Sequence, residues 1–273
     1  MTDQTSMQRH YPHGVPSWVD TEQPDPEAAA RFYSQLFGWE LRDAVPAEAP
    51  GSYLVATLDG HDVAAIAPGS DDPAWNTYIA CDDADTTAEA VAGAGGTVVA
   101  APADAGPGGR LALCADPQGA AFRLWQARRR LGAQLVNSPG AWNFSDLHTS
   151  DPAVLGFYAT VFGWVHDDAA AGMIRVPGYG DHLAATVDPD IHERQAFAPE
   201  GFADVVAGLA VTDDRPGWQV RFTVADRDDS VATAERLGAV TLSSDDTEWT
   251  REAVVRDPQG AVLTLSQFTP PSP

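Results

Sequence analysis

The sequence predicts an α+β protein made of two tandem domains, each a pair of βαβββ modules. The main observation is an internal repeat: RFYSQLFGWE at residues 31–40 returns as GFYATVFGWV at 156–165. A strand, helix and glycine at 75–99 return at 218–242, and a DPQG turn before a short strand occurs at 116–119 and again at 257–260. A repeat this long indicates a duplicated domain rather than a solenoid unit.

Each copy shows the same order of elements. A strand comes first, and an Asp-Pro pair then starts a helix, with Asp25 and Asp151 as N-caps and proline at the first helical position. Gly38 and Gly163 suit the ends of these helices. Three strands follow, and then a second round of strand, helix and three strands. The pattern predicts four βαβββ modules.

The repeat also predicts the domain boundaries. The second copy has extra residues between its halves, which include a candidate helix in FADVVAGLA at 202–210. This insertion either decorates the surface or covers a cavity mouth. The predicted segments are a flexible N-terminus 1–12, domain 1 at 13–127, a linker 128–139, domain 2 at 140–268 with the insertion 188–217, and a flexible tail 269–273.

Composition excludes several classes of partner. The 273-residue chain carries a formal net charge of −23, which repels nucleic acid and anionic membranes and favours cationic ligands. No apolar run approaches the roughly 20 residues that a membrane span needs, and no signal peptide opens the chain. Cys81 and Cys114 are expected to be small core residues. We therefore expect a cytoplasmic protein.

The paired modules, the DP…FY…FGW helix and the late DPQG turn resemble the vicinal oxygen chelate superfamily. This superfamily includes glyoxalase I, extradiol dioxygenases, fosfomycin resistance enzymes and bleomycin-binding proteins. More closely, the chain looks like the tandem actinobacterial members of the glyoxalase/bleomycin resistance type. The resemblance implies that each pair of modules curls its sheet into a half-open cup around a small-molecule site. It does not determine the reaction.

Metal-dependent relatives take their ligands from the first, fifth and eighth strands of each cup. None of the residues at these positions here is a carboxylate or an imidazole: Trp18, Asn76, Arg123, Phe144, Gln219 and Thr264. Divalent metals bind to such donors, and an arginine would repel them. The seven histidines form no HxH or HExxH pattern. We expect neither a metal nor another cofactor.

Alternation along a strand predicts which residues share the inner face of each cup. In the first cup this adds Asp20, Tyr78 and Trp125 to Trp18, Asn76 and Arg123. In the second it adds Asp146, Arg221 and Ser266 to Phe144, Gln219 and Thr264. Flat aromatic faces with a few polar groups are typical of an organic ligand site. The alternative is that the aromatic rings fill the space that a metal would occupy.

The leading hypothesis is a metal-independent protein that binds a hydrophobic planar metabolite, such as an anthracycline-like polyketide antibiotic. Its role would be sequestration, resistance or support of a biosynthetic enzyme. An alternative is a metal-free cyclase, isomerase or epoxide-opening enzyme that uses Asp20 or Asp146 as base and Tyr78 as acid. A third is a structural or interaction protein. With two copies in one chain, each domain can pair its own halves or exchange them with the other, and either a monomer or a homodimer is compatible with the repeat.

Overall fold

A computed structural model describes residues 9–69, 71–166 and 172–269. The predicted flexible termini fall largely outside these described residues. The described chain contains sixteen strands and six α-helices. The first copy consists of β1 (Pro16–Gln23), α1 (Pro26–Phe37), β2 (Glu40–Asp43), β3 (Leu54–Leu58), β4 (His61–Pro68), β5 (Ala74–Ala80), α2 (Ala84–Gly93), β6 (Thr97–Ala105), β7 (Gly109–Ala115) and β8 (Ala121–Ala127).

The second copy has the same order with additional helices. Its elements are β9 (Trp142–Thr149), α3 (Leu155–Phe162), β10 (Val165–His166), β11 (Met173–Arg175), α4 (Tyr179–Thr186), α5 (Ile191–Arg194), β12 (Val205–Val211), β13 (Gly217–Thr223), α6 (Arg227–Arg236), β14 (Val240–Asp246), β15 (Thr250–Arg256) and β16 (Val262–Phe268).

The strands form two eight-stranded sheets with the same topology. The order is β2-β3-β4-β1-β5-β8-β7-β6 in one sheet and β10-β11-β12-β9-β13-β16-β15-β14 in the other. In each module the first strand lies parallel to the fourth, and the remaining pairs are antiparallel hairpins. This arrangement of four βαβββ modules confirms the predicted fold class.

The chain divides into two compact units, and each draws on both sequence copies. Unit 1 comprises Met1–Ser17, Tyr78–Gly132 and Asp146–Trp218, and unit 2 comprises Trp18–Thr77, Ala133–Ser145 and Gln219–Pro273. The domain boundaries that the repeat suggests, 13–127 and 140–268, stay predictions.

The predicted helix in FADVVAGLA is wrong. Only a 3-10 turn forms at Phe202–Asp204, and Val205–Val211 is strand β12. This strand pairs in parallel with β9, so the pairing decides the conformation of a short apolar run that periodicity cannot assign. The added helices α4 and α5 lie between β11 and β12. The segment 188–217 contains α5 and also β12, which is a strand of the repeat.

The predicted helix caps are confirmed. The Asp25 carboxylate accepts a hydrogen bond from the Ala28 backbone N–H at 2.9 Å at the start of α1. Asp151 accepts one from Ala153 at 2.9 Å, where it caps the 3-10 turn Pro152–Val154 that leads into α3. The two helices end at glycines in the left-handed conformation, with φ of 76° at Gly38 and 69° at Gly163. Glycine reaches this region without the steric cost that a Cβ brings.

The repeated motifs meet in the core of unit 2. Tyr33, from the Phe-Tyr pair of α1, is buried and donates its hydroxyl to Asp257 of the second DPQG turn at 2.8 Å. The same carboxylate accepts from Gln23 at 2.8 Å, and the Trp75 indole donates to the Tyr33 hydroxyl at 3.1 Å. Phe222 packs against this aromatic cluster. A buried carboxylate with several donors is compensated for its lost hydration.

Unit 1 has the same arrangement, with the tyrosine from the second copy and the aspartate from the first. Tyr158 of α3 donates to Asp116 of the first DPQG turn at 3.0 Å, and Trp218 donates to Tyr158 at 3.2 Å. In each unit the helix tyrosine of one copy therefore bonds to the turn aspartate of the other. The repeat of both motifs has a structural cause, because each motif supplies half of this contact.

Both cysteines are buried free thiols. Burial raises the pKa of Cys81 to about 12 and that of Cys114 to about 11, so both are poor thiolate nucleophiles at neutral pH. Among the described residues, no helix is long and apolar enough to cross a bilayer.

Candidate ligand-binding sites

Three of the predicted residues of the first cup form a hydrogen-bonded network in unit 2. Asp20 is fully buried on β1 and accepts from the Asn76 amide at 2.9 Å. Its other oxygen accepts from the Tyr53 hydroxyl at 3.0 Å, and that hydroxyl accepts from the Trp18 indole at 2.9 Å. The network uses the polar hydrogens of Trp18 and Asn76, which occupy expected metal-ligand positions. Their indole ring and amide are thereby held in one orientation.

Tyr53 was not predicted from the sequence, because it precedes β3 in the connection from β2 and so lies outside the strand alternation. Asp43 holds it in place: one carboxylate oxygen accepts from the backbone N–H groups of Tyr53 at 3.0 Å and Val45 at 2.9 Å. The other oxygen accepts from Ser52 at 2.9 Å. The Tyr53 bond, followed by that of Val45, holds the pKa of Asp43 below its ordinary value. Asp43 therefore stays ionised and fixes the Tyr53 backbone.

The other three predicted residues of the first cup lie together in unit 1. Tyr78 on β5 is in register with Arg123 on β8, and the guanidinium donates to the tyrosine hydroxyl at 2.9 Å. The guanidinium carbon is 5.4 Å from the Tyr78 ring centroid. The Trp125 indole donates to the Arg130 carbonyl at 2.9 Å, and its ring meets Tyr78 edge-on. These contacts fix two flat rings beside a cation.

In the second copy, Asp146 lies in unit 1 on β9, in register with Gly208 on β12. A Cβ at Gly208 would be only 2.1 Å from an Asp146 oxygen, so the glycine provides the space for this carboxylate. At the matching place in unit 2, Asp20 is in register with Ala65. A glycine within a strand commonly marks such a close approach.

The remaining predicted residues of the second copy lie in unit 2. Phe144 and Gln219 are half-buried on β9 and β13. Arg221 and Thr264 are in register on β13 and β16, and Ser266 is in register with Glu252 on β15. Arg221 forms an ion pair with Glu252, and the Ser266 hydroxyl donates to the same glutamate oxygen at 3.1 Å.

Glu252 is a site residue that the sequence reasoning missed. Its place on this face depends on the register between β15 and β16, which the sequence does not show. Reading TREAVVR with period two, against Ser266, would have placed Glu252 on the same face.

Comparison with known proteins defines the class of this chain. Residues 22–124 match the Glyoxalase/Bleomycin resistance protein/Dioxygenase superfamily, and residues 144–266 match the glyoxalase-like domain. The chain belongs to this superfamily, with two such domains in tandem, and the predicted resemblance is confirmed.

Several relatives are similar to this chain over almost its whole length. The anthracycline biosynthesis protein DnrV of Streptomyces peucetius is 34% identical, and DauV of Streptomyces sp. (strain C5) is 32% identical. Both matches cover 93% of this chain and 94% of the relative. CFP32 of Mycobacterium tuberculosis, provisionally named a glyoxylase, is 36% identical over 95% of this chain and 97% of its own length.

Solved structures show the same fold at low identity. The Mn(II)-bound glyoxalase from Novosphingobium aromaticivorans aligns with a TM-score of 0.59 at 17% identity, covering 94% of this chain and 84% of that one. The 2,3-dioxygenase LapB from Pseudomonas sp. KL28 aligns with a TM-score of 0.59 at 12% identity, covering 97% and 96%.

The donors present here do not fit the metal that such relatives bind. The six expected positions carry an indole, a phenyl ring, a guanidinium, a hydroxyl and two amides. The Trp18 indole N–H and the Asn76 amide N–H offer no lone pair to a metal, and both donate hydrogen bonds within the Asp20 network. Within the described ranges, no group of three or more His, Cys, Asp or Glu side chains is arranged to hold a metal ion. Carboxylate and imidazole are the donors that this class of site requires.

Proposed function

We propose that this chain is a metal-independent small-molecule-binding protein of secondary metabolism. Its ligand is a hydrophobic planar aromatic metabolite such as an anthracycline-like polyketide antibiotic. The observation that carries the proposal is the Trp18–Tyr53–Asp20–Asn76 network, in which an indole and an amide stand at two expected metal-ligand positions and are oriented by hydrogen bonds. The relatives DnrV and DauV, both named for anthracycline biosynthesis, support the ligand class.

The rings are suited to stacking because their orientations are fixed before a ligand arrives. Trp18 is anchored by its bond to Tyr53, and Trp125 by its bond to a backbone carbonyl. Preorganised rings lose little conformational entropy on binding. Trp18 is 2% exposed and Trp125 is 7% exposed, so neighbouring side chains must move to admit a ligand. Slow association is therefore expected.

The charge of the chain favours a cationic ligand. A net charge of −23 raises the local concentration of cations and would attract an antibiotic that carries an amino sugar. Binding would sequester the compound, protect the cell, or assist a biosynthetic enzyme by removing an inhibitory product. If a biosynthetic enzyme is a partner, the two should co-purify in the presence of the ligand.

The proposal predicts saturable binding of doxorubicin, measured by calorimetry. Trp18→Ala should weaken it about tenfold or more, because it removes a stacking face and the indole N–H that orients Tyr53. Trp249→Phe is the matched control, since Trp249 lies 37% exposed at a hairpin end, and it should leave the affinity unchanged. If the wild type binds no member of a panel of polyaromatic compounds, the rings are packed cores and the proposal fails.

A second candidate function is a metal-free enzyme with an acid–base pair. The observation that favours it is the 3.0 Å hydrogen bond from the Tyr53 hydroxyl to the buried Asp20 carboxylate. The tyrosine acid would then be Tyr53 and not Tyr78, whose hydroxyl accepts a hydrogen bond from Arg123. Mass analysis of the binding mixture separates the two functions. Turnover that survives chelation but is lost in both Asp20→Asn and Tyr53→Phe would favour the enzyme.

A further inference from the structure

The second copy presents a polar face on three neighbouring strands of unit 2. In the order β13-β16-β15, Arg221 is in register with Thr264, and Ser266 with Glu252, so these four side chains share one face. The alternate residues of the same strands point the other way and are buried apolar groups: Val220, Phe222, Ala253, Val255, Leu263 and Leu265. The strands are thus polar on one face and belong to the core on the other.

The Glu252 carboxylate is held within this face through one of its two oxygen atoms. Arg221 and Ser266 both bond to its Oε1 atom. Arg227 also donates to Glu252, at 2.7 Å, but to its backbone carbonyl oxygen and not to the carboxylate. The Glu252 side chain is 18% exposed, so it is not sealed within the core. A carboxylate oxygen has room for about two further donors.

The first copy shows that the fold does not need this glutamate. At the matching positions in unit 1, Leu111 is in register with Trp125, and Leu113 with Arg123. The first copy therefore forms the same strands with leucine and tryptophan at the positions where the second copy has Glu252 and Ser266. A half-buried ion pair is often no more stable than apolar residues of similar volume. Stability alone does not account for the charged pair.

We propose that Glu252 binds the hydroxyl or ammonium donors of a glycosyl group on the ligand, with the Thr264 hydroxyl as a second contact. This inference rests on the proposed function, since it assigns the sugar portion of a glycosylated aromatic ligand to the second copy. Arg221 and Ser266 act as positioning residues because they hold one carboxylate oxygen and leave the other for the ligand. Sugars present several donors and acceptors close together, which suits an acid beside a guanidinium and hydroxyls.

The first test compares doxorubicin with its sugar-free aglycone by calorimetry. Glu252→Gln should weaken doxorubicin binding about tenfold or more and leave aglycone binding unchanged, because a hydrogen bond to a charged group is lost. Thr264→Val should act in the same direction without disturbing the Arg221 ion pair. Glu235→Gln is the matched control: this exposed glutamate of the same unit bonds to Thr241, and its change should affect neither ligand.

The outcomes separate this inference from the proposed function. If Glu252→Gln and Thr264→Val weaken neither compound, or weaken both equally, the sugar assignment is overturned while aromatic binding stands. If the wild type binds neither of these compounds nor any other member of the polyaromatic panel, the proposed function fails, and a second measurement decides the glutamate site. Glucosamine and methyl glucoside are titrated into protein carrying a carboxyl ¹³C label on glutamate. A shift of the Glu252 signal with glucosamine alone indicates an ammonium, and a shift with both indicates hydroxyls. No shift with either sugar overturns the inference.

Discussion

The tyrosine–aspartate contacts explain why particular residues recur in the repeat. Asp257 accepts from the hydroxyl of Tyr33, and also from three backbone N–H groups of its own turn, at 2.8–2.9 Å. Asp116 accepts from the hydroxyl of Tyr158 at 3.0 Å and from two backbone N–H groups of its own turn, at 2.8 and 2.9 Å. The aspartate therefore stabilises the DPQG turn and a distant helix together. This dual role requires a carboxylate, because the uncharged oxygen of an amide would form weaker hydrogen bonds with these buried donors.

These contacts predict a loss of stability at alkaline pH. Burial, and secondly the neighbouring Asp257 carboxylate, raise the pKa of Tyr33 well above its ordinary value of 10.0. The folded state keeps a proton that the unfolded state releases above about pH 10, so the free energy of unfolding falls as pH rises. Each such tyrosine contributes a slope of about 1.4 kcal/mol per pH unit in that range.

Urea denaturation between pH 9 and pH 11.5 measures this slope. Tyr33→Phe should be less stable than the wild type at neutral pH by about 1–2 kcal/mol, because Asp257 loses a donor, yet lose less stability on going to high pH. Tyr158→Phe should behave alike, since burial and Asp116 raise the pKa of Tyr158 in the same way. An alkaline slope identical to the wild type in both variants would contradict the account.

At the scale of single elements, strand β12 depends on one glycine. Gly208→Ala would bring a methyl group against the Asp146 carboxylate, and overpacking of this kind costs about 1–3 kcal/mol. The matched control is Gly156→Ala in α3, where an added Cβ has nothing within 4 Å. That change should stabilise the helix by about 0.5–1 kcal/mol.

The urea midpoint measures both glycine variants. We expect a lower urea midpoint than the wild type for Gly208→Ala and an equal or higher one for Gly156→Ala. A Gly208→Ala protein as stable as the wild type would show that the Asp146 carboxylate does not need this space.

Local signals predicted the elements that depend on short-range chemistry. Asp25 and Gly38 have cap roles that neighbouring backbone groups decide, so their positions could be predicted from four or five residues. Strand β12 could not, because its apolar sequence suits either conformation until β9 is beside it. Tyr53 and Glu252 were missed for a related reason: a connection and an unknown register position them, and neither leaves a periodic signal.

At the scale of the whole molecule, the two copies keep one fold but differ in their inner residues. The first has Tyr78, Trp125 and Leu111 where the second has Arg221, Ser266 and Glu252. Alternation assigns strand residues to a face because it depends only on the pleat, and the cup that each set lines stays a prediction. The sequence left open whether each copy pairs its own halves or exchanges them, because similarity between copies does not report the partner against which a helix packs; the compact units have segments of both copies.

We propose that ligand recognition by the whole molecule depends on oriented rings and hydrogen bonds instead of a bound metal. The most direct measurement is elemental analysis of protein purified without chelator, followed by calorimetric titration with doxorubicin before and after treatment with EDTA. The account predicts far less than one transition-metal ion per chain and the same affinity in both titrations. Near-stoichiometric zinc, iron, nickel or manganese, with binding that is lost on chelation and restored by the metal, would contradict it.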